Sequence, residues 1–137
     1  MRQSLLKKIV YIHIGLSLIS ISSVALWAWV DPDGVMALVQ VELTNTDSLS
    51  SIRGAYGGAG IMLVILFLYL SSTSLRNTLF FLTLFWLFYV LSRGITYMVN
   101  GPLGDFATQW IIIESILFVS GAILYVALGK QNTSKVI

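Results

Sequence analysis

The sequence predicts an all-α fold: an integral membrane four-helix bundle with cytoplasmic termini and a long outer loop between the first two helices. Three observations predict it. The 137 residues are 57% hydrophobic and only 10% charged, whereas soluble domains carry roughly 25% charged residues; a soluble form would have little surface to offer water. Four apolar runs, 9–30, 54–70, 78–99 and 110–128, approach the roughly 20 residues that take a helix across about 30 Å of hydrocarbon. Charge is also sorted along the chain. Arg2, Lys7 and Lys8 precede the first run, Arg76 lies between the second and third, and Lys130 and Lys135 follow the fourth. The other connecting segments hold Asp31, Asp33, Glu42, Asp47 and Asp105. Because Lys and Arg stay on the cytoplasmic side, both termini and the second loop are placed there.

The first run follows Lys7 and Lys8 as a signal sequence would. Its 22 residues are too many for a signal core and no small-x-small cleavage site follows, so it reads as a retained span. The segment after it opens with Asp31-Pro32-Asp33-Gly34, a turn by composition. The outer loop, 31–52, is apolar through Val35, Met36, Leu38, Val39, Val41 and Leu43. It is expected to lie on the bilayer or cap the bundle, as helix or strand. The second helix is expected to start near Leu49, with Asp47 or Ser48 accepting its free backbone N–H groups. Its opening Gly54-Ala55-Tyr56-Gly57-Gly58-Ala59-Gly60 has small residues at four-residue spacing, which lets a neighbouring helix approach closely. A phosphate-cradling loop is the rival reading, and it lacks a preceding strand and a following Gly-Lys-Ser/Thr.

The second loop is 71–77. The third run ends in Asn100-Gly101-Pro102-Leu103-Gly104, a second turn, and the fourth completes a single domain, 1–137, with helices at about 9–30, 49–70, 78–99 and 108–128. Trp27, Trp29, Tyr97 and Trp110 near the outer border, and Tyr11, Tyr69 and Tyr125 near the inner one, suit the amphipathic interface. Asn132-Thr133-Ser134 matches a glycosylation acceptor, but a cytoplasmic tail would not be modified.

Charged residues inside the spans are the main functional signal. Arg93 lies six residues before the end of the third run, and Glu114 a similar distance into the fourth. A short turn makes these spans an antiparallel hairpin, so both sit about 6–9 Å below the outer surface. Each alone would cost up to about 2.5–3.5 kcal/mol in the membrane, and pairing offsets much of that. Arg53 starts the second span on the same side, with Tyr56 beside it; Tyr89 and Tyr97 flank Arg93 at four residues. An outer pocket lined by Arg53, Tyr56, Tyr89, Arg93, Tyr97 and Glu114 is expected, joined by Tyr56 or Tyr97 hydroxyls. Two arginines against one glutamate favour an anionic or carbonyl-bearing ligand. The same residues also fit a plain Arg–Glu clamp between two helices, and the sequence leaves both readings open.

His13 is the sole histidine. It cannot make a multi-histidine metal site and is expected to be interfacial or hydrogen-bonded, with Ser17 and Ser20 on its face. There is no cysteine, so disulfides and thiolate metal sites are excluded. The net charge of +2 is scattered, which excludes a nucleic-acid surface. No cofactor motif is visible.

Ser51-Ile52-Arg53-Gly54-Ala55-Tyr56-Gly57-Gly58 resembles the Arg-Ala-x-Tyr-Gly-Gly signature of the domain-of-unknown-function 4345 family, small four-helix membrane proteins of bacteria. The resemblance continues at Ser92-Arg93, Asn100-Gly101-Pro102 and Glu114, in order and spacing. The chain departs from the family pattern at Gly54 for Ala, Ser92 for Gly and Asn100 for Asp. The resemblance implies the four-helix membrane fold, a bacterial inner-membrane location and weight on Arg53, Tyr56, Arg93 and Glu114. It implies no activity.

Three functions remain. The chain binds or transports a small anionic or lipid-like molecule in the outer pocket. Alternatively it is a non-catalytic accessory subunit of a membrane complex, partnered by itself or by other proteins. An enzyme using Glu114 as acid or base is the weakest, since no nucleophile–base pair or metal set accompanies it.

Overall fold

The computed structural model describes residues 2–133; Lys135 and Ser134 of the glycosylation match lie outside them. Six α-helices follow in order: α1 (Arg2–Val30), α2 (Pro32–Ala37), α3 (Thr46–Ile52), α4 (Ala59–Thr73), α5 (Leu75–Asn100) and α6 (Asp105–Thr133). A π-helical stretch, Arg53–Gly58, joins α3 to α4. No strand occurs among the described residues.

Four stretches are long and apolar enough to cross a membrane: Ser4–Val30, Thr46–Thr73, Leu75–Asn100 and Asp105–Lys130. Each has 26–28 residues, about 40 Å at 1.5 Å per residue. They overshoot the ~30 Å hydrocarbon core and extend into the headgroup layers. Ile12, Ile19, Leu68, Phe88, Ile116 and Ile123 are each more than half exposed. Water would penalise such faces, and lipid is their natural surrounding. The chain is a multi-pass membrane protein.

The connections differ from the sequence expectations in three places. Asp31-Pro32-Asp33-Gly34 is the start of α2 rather than a free turn. The Asp31 carboxylate accepts from Gly34 N–H at 3.0 Å, and Pro32 occupies the first helical position, where its missing N–H costs nothing. Asn45 caps α3, not Asp47 or Ser48. Its Oδ1 accepts from Ser48 N–H at 2.8 Å while Ser48 Oγ accepts from Asn45 N–H at 3.3 Å, a reciprocal capping box. The 71–77 loop shrinks to Ser74, which caps α5 by accepting from Asn77 N–H at 3.3 Å. Arg76 therefore lies in the first turn of α5. The 100–104 turn follows α5 directly, and Gly101 sits at φ 99°, a backbone conformation in which a β-carbon is strained.

The chain divides into two compact units, one containing the chain up to Ser17 together with that from Leu70 onward, the other Leu18–Tyr69. In the first, α5 and α6 pack as an antiparallel hairpin with the N-terminal half of α1. In the second, the apolar 31–52 segment contributes to the core: Val35 and Met36 of α2 are buried with Ala28 of α1, and Leu43 and Ile52 pack against them. Gly57 and Gly60 supply the close approach there. A β-carbon on Gly60 would stand 2.6 Å from Ala25 Cβ, and one on Gly57 would stand 3.3 Å from Trp29 backbone N.

Candidate functional site

Arg93 on α5 grips Glu114 on α6 with two parallel bonds. Nε donates to Oε2 at 2.6 Å and Nη2 to Oε1 at 2.7 Å. The α5–α6 turn places them opposite each other, because two helices leaving a short turn return to equal depths together. Planar fork meets planar carboxylate, the strongest geometry available to such a pair. Glu114 is 1% exposed and the Arg93 side chain 19%. Counted from the helix ends, Arg93 lies seven residues before Asn100 and Glu114 nine residues after Asp105, roughly 10 and 13 Å in. These are distances from the helix ends, which continue past the apolar runs.

The pair consumes only one edge of the guanidinium. Arg93 Nη1 donates to no partner among the described residues. It is not sealed in either, since the buried polar side-chain atoms without partners are His13 Nε2 and Thr83 Oγ1. Nη1 therefore opens to the exterior, backed by a neutralising carboxylate.

The expected tyrosine lining is only partly realised. Tyr97 is 59% exposed, and its hydroxyl makes no bond to the pair. With both carboxylate oxygens held by one guanidinium, no hydroxyl is required. Tyr89 is 42% exposed and lies against Phe85 (ring centroids 4.9 Å apart) and Trp86 (6.2 Å). Arg53 and Tyr56 belong to the second unit. Arg53 Nε donates to the Trp29 carbonyl at 3.1 Å. That carbonyl is in the last turn of α1, where helix carbonyls lack partners and cations are favoured. Arg53 thus closes a helix end through Nε while keeping its positive charge. Tyr56 is 42% exposed.

A second polar cluster was only half legible. Trp86 Nε1 donates to Ser17 Oγ at 3.1 Å, both residues buried. One turn further in, His13 Nδ1 lies 3.2 Å from Ser120 Oγ, and Thr83 and Gly121 adjoin it. The four-residue spacing of His13 and Ser17 marks one face of α1; nothing in the sequence says which residues of α5 and α6 meet it. At the other end of the hairpin, the Arg76 guanidinium stands 5.1 Å over the Tyr125 ring.

The family model "Domain of unknown function (DUF4345)" matches residues 9–128. The chain belongs to the DUF4345 family. The match spans Arg53, Arg93 and Glu114 and takes in the hairpin turn between α5 and α6. No curated protein and no solved structure matches this DUF4345 chain.

Proposed function

We propose that this DUF4345 protein binds a lipid-like molecule at outer-leaflet depth, through acceptor oxygens of the ligand's polar end on the open edge of Arg93. The observation that carries the reading is the two-sided guanidinium: one edge locked to Glu114, Nη1 open. A neutral Arg–Glu pair with unused N–H donors suits a neutral ester carbonyl oxygen at the base of a headgroup better than an anionic oxygen, which the carboxylate would repel. From a position in the outward part of the span, an arginine side chain can extend toward the ester carbonyl level. The protein acts here as a binding or transport protein of the bacterial inner membrane.

Native mass spectrometry of protein released from vesicles of phosphatidylethanolamine and phosphatidylglycerol tests this. The wild type should retain a lipid under activation that strips the annular ones, and Arg93→Gln should lose it. Arg93→Lys should fall between, because one ammonium cannot serve carboxylate and ligand through a fixed fork. Equal retention by wild type and Arg93→Gln would favour an accessory subunit instead. That reading draws on the exposed Gly54 and Gly58, which no side chain among the described residues covers.

The orientation, cytoplasmic termini with the α5–α6 turn outside, belongs to the same proposal and rests on the Lys and Arg distribution. The chain has no cysteine background. In intact spheroplasts, Asp105→Cys should react with an impermeant maleimide and Ser4→Cys only after permeabilisation. The reverse pattern would invert the topology and move the Arg93 site to the inner leaflet.

A further inference from the structure

His13 is 6% exposed, on the inner half of α1. Its Nδ1 is 3.2 Å from Ser120 Oγ. That hydroxyl has one proton, and it is committed: Ser120 Oγ donates to the Ile116 carbonyl at 2.7 Å, one turn back on α6. With the hydroxyl proton taken by the carbonyls of its own helix, Ile116 at 2.7 Å and Leu117 at 3.3 Å, the arrangement that satisfies both groups has Nδ1 donating to Ser120 and Nε2 presenting a lone pair. Nε2 is buried without a partner, and so is Thr83 Oγ1. Both face Gly121. A β-carbon built there would lie 2.7 Å from Thr83 Oγ1 and 3.2 Å from His13 Nε2. The two orphans are thus at most about 6 Å apart, a span that one bridging water closes with two bonds of roughly 2.8 Å.

We infer that His13, Thr83 and Gly121 form a buried hydration site inside the first unit, holding one water that donates to His13 Nε2 and bonds Thr83 Oγ1. Buried polar atoms in apolar surroundings cost about 1–3 kcal/mol each when unpaired, and internal waters commonly supply the missing partner. Gly121 lets both orphans come close to α6, since a β-carbon there would crowd them. Within α1, α5 and α6 this water continues a line of polar groups: Arg93–Glu114, then Ser17–Trp86, then His13–Ser120. The site is separate from the ligand edge of Arg93 and does not depend on it.

Because His13 is the sole histidine, nitrogen-15 histidine labelling in deuterated lipid reads it without assignment. The expected spectrum has a protonated, pyrrole-type Nδ1 and a pyridine-type Nε2, with a cross-peak from water to the adjacent Hε1. Thr83→Val keeps the shape, removes the hydroxyl and should abolish the water cross-peak while leaving Nδ1 protonated. Gly121→Ala should abolish it by occupancy; if that variant does not fold, Thr83→Val decides alone. An Nε2-protonated ring, no water cross-peak in the wild type, or an unchanged cross-peak in Thr83→Val would each overturn the inference.

Discussion

Glu114→Gln is expected to destabilise the protein by about 2–3 kcal/mol. Removing one partner of a buried ion pair costs roughly 3–5 kcal/mol, because the other charge stays desolvated and alone. Two features bring the figure down here. The Gln carbonyl still accepts one N–H, and Arg93, 19% exposed, can reach outward to the headgroup layer. Arginine keeps its charge in proteins, so it cannot escape the penalty by neutralising. Joint replacement by apolar residues, Arg93→Met with Glu114→Leu, should recover most of the loss, since no charge is then left in the membrane. Unfolding by denaturant titration in bicelles measures both. Unchanged stability in Glu114→Gln would mean that the pair does not hold the hairpin.

Gly60→Leu is expected to be similarly severe, for a steric reason. Its first side-chain atom would already stand 2.6 Å from Ala25 Cβ, well inside contact distance, and three further carbons must follow. Overpacking costs typically about 1–3 kcal/mol; the upper end applies because α1 and α4 must separate along their contact. Gly54→Ala is the control. No atom lies within 4 Å of its added carbon, and relief from glycine's backbone entropy should make it neutral or stabilising by up to about 1 kcal/mol. Thermal unfolding of the two variants side by side checks the contrast. Equal effects would mean that the close face of the glycine segment is not the one at Gly57 and Gly60.

The spans were legible because lipid thickness is written as run length, which survives any rearrangement of helices around it. Arg93 and Glu114 were legible because an intramembrane charge demands a partner and a short turn equalises depth. The helix ends were not: Thr46, Leu75 and Asp105 are helical in headgroup layers where polar residues cost nothing, so hydropathy stops before the helix does. The 31–52 segment carried no clean period because α2 and α3 are six and seven residues long, too short to show one. The bonding of Tyr97 was not legible from spacing, because a residue four positions from one at the edge of a helix contact can equally face lipid; Tyr97 is 59% exposed. The Arg53 bond to the Trp29 carbonyl was not legible, because it depends on how the end of α1 meets the start of the second span. The partners of His13 depend on how α1 docks, which no local spacing encodes.

Arg93 and Glu114 bond to each other and close the α5–α6 hairpin. A double-mutant cycle of Arg93→Gln, Glu114→Gln and the pair together tests it most directly, with stability read in the same bicelles. The losses should be strongly non-additive, with a coupling energy of about 1.5–3 kcal/mol, within the range for contacting residues. Additive losses, with coupling within about 0.5 kcal/mol of zero as for distant sites, would contradict it.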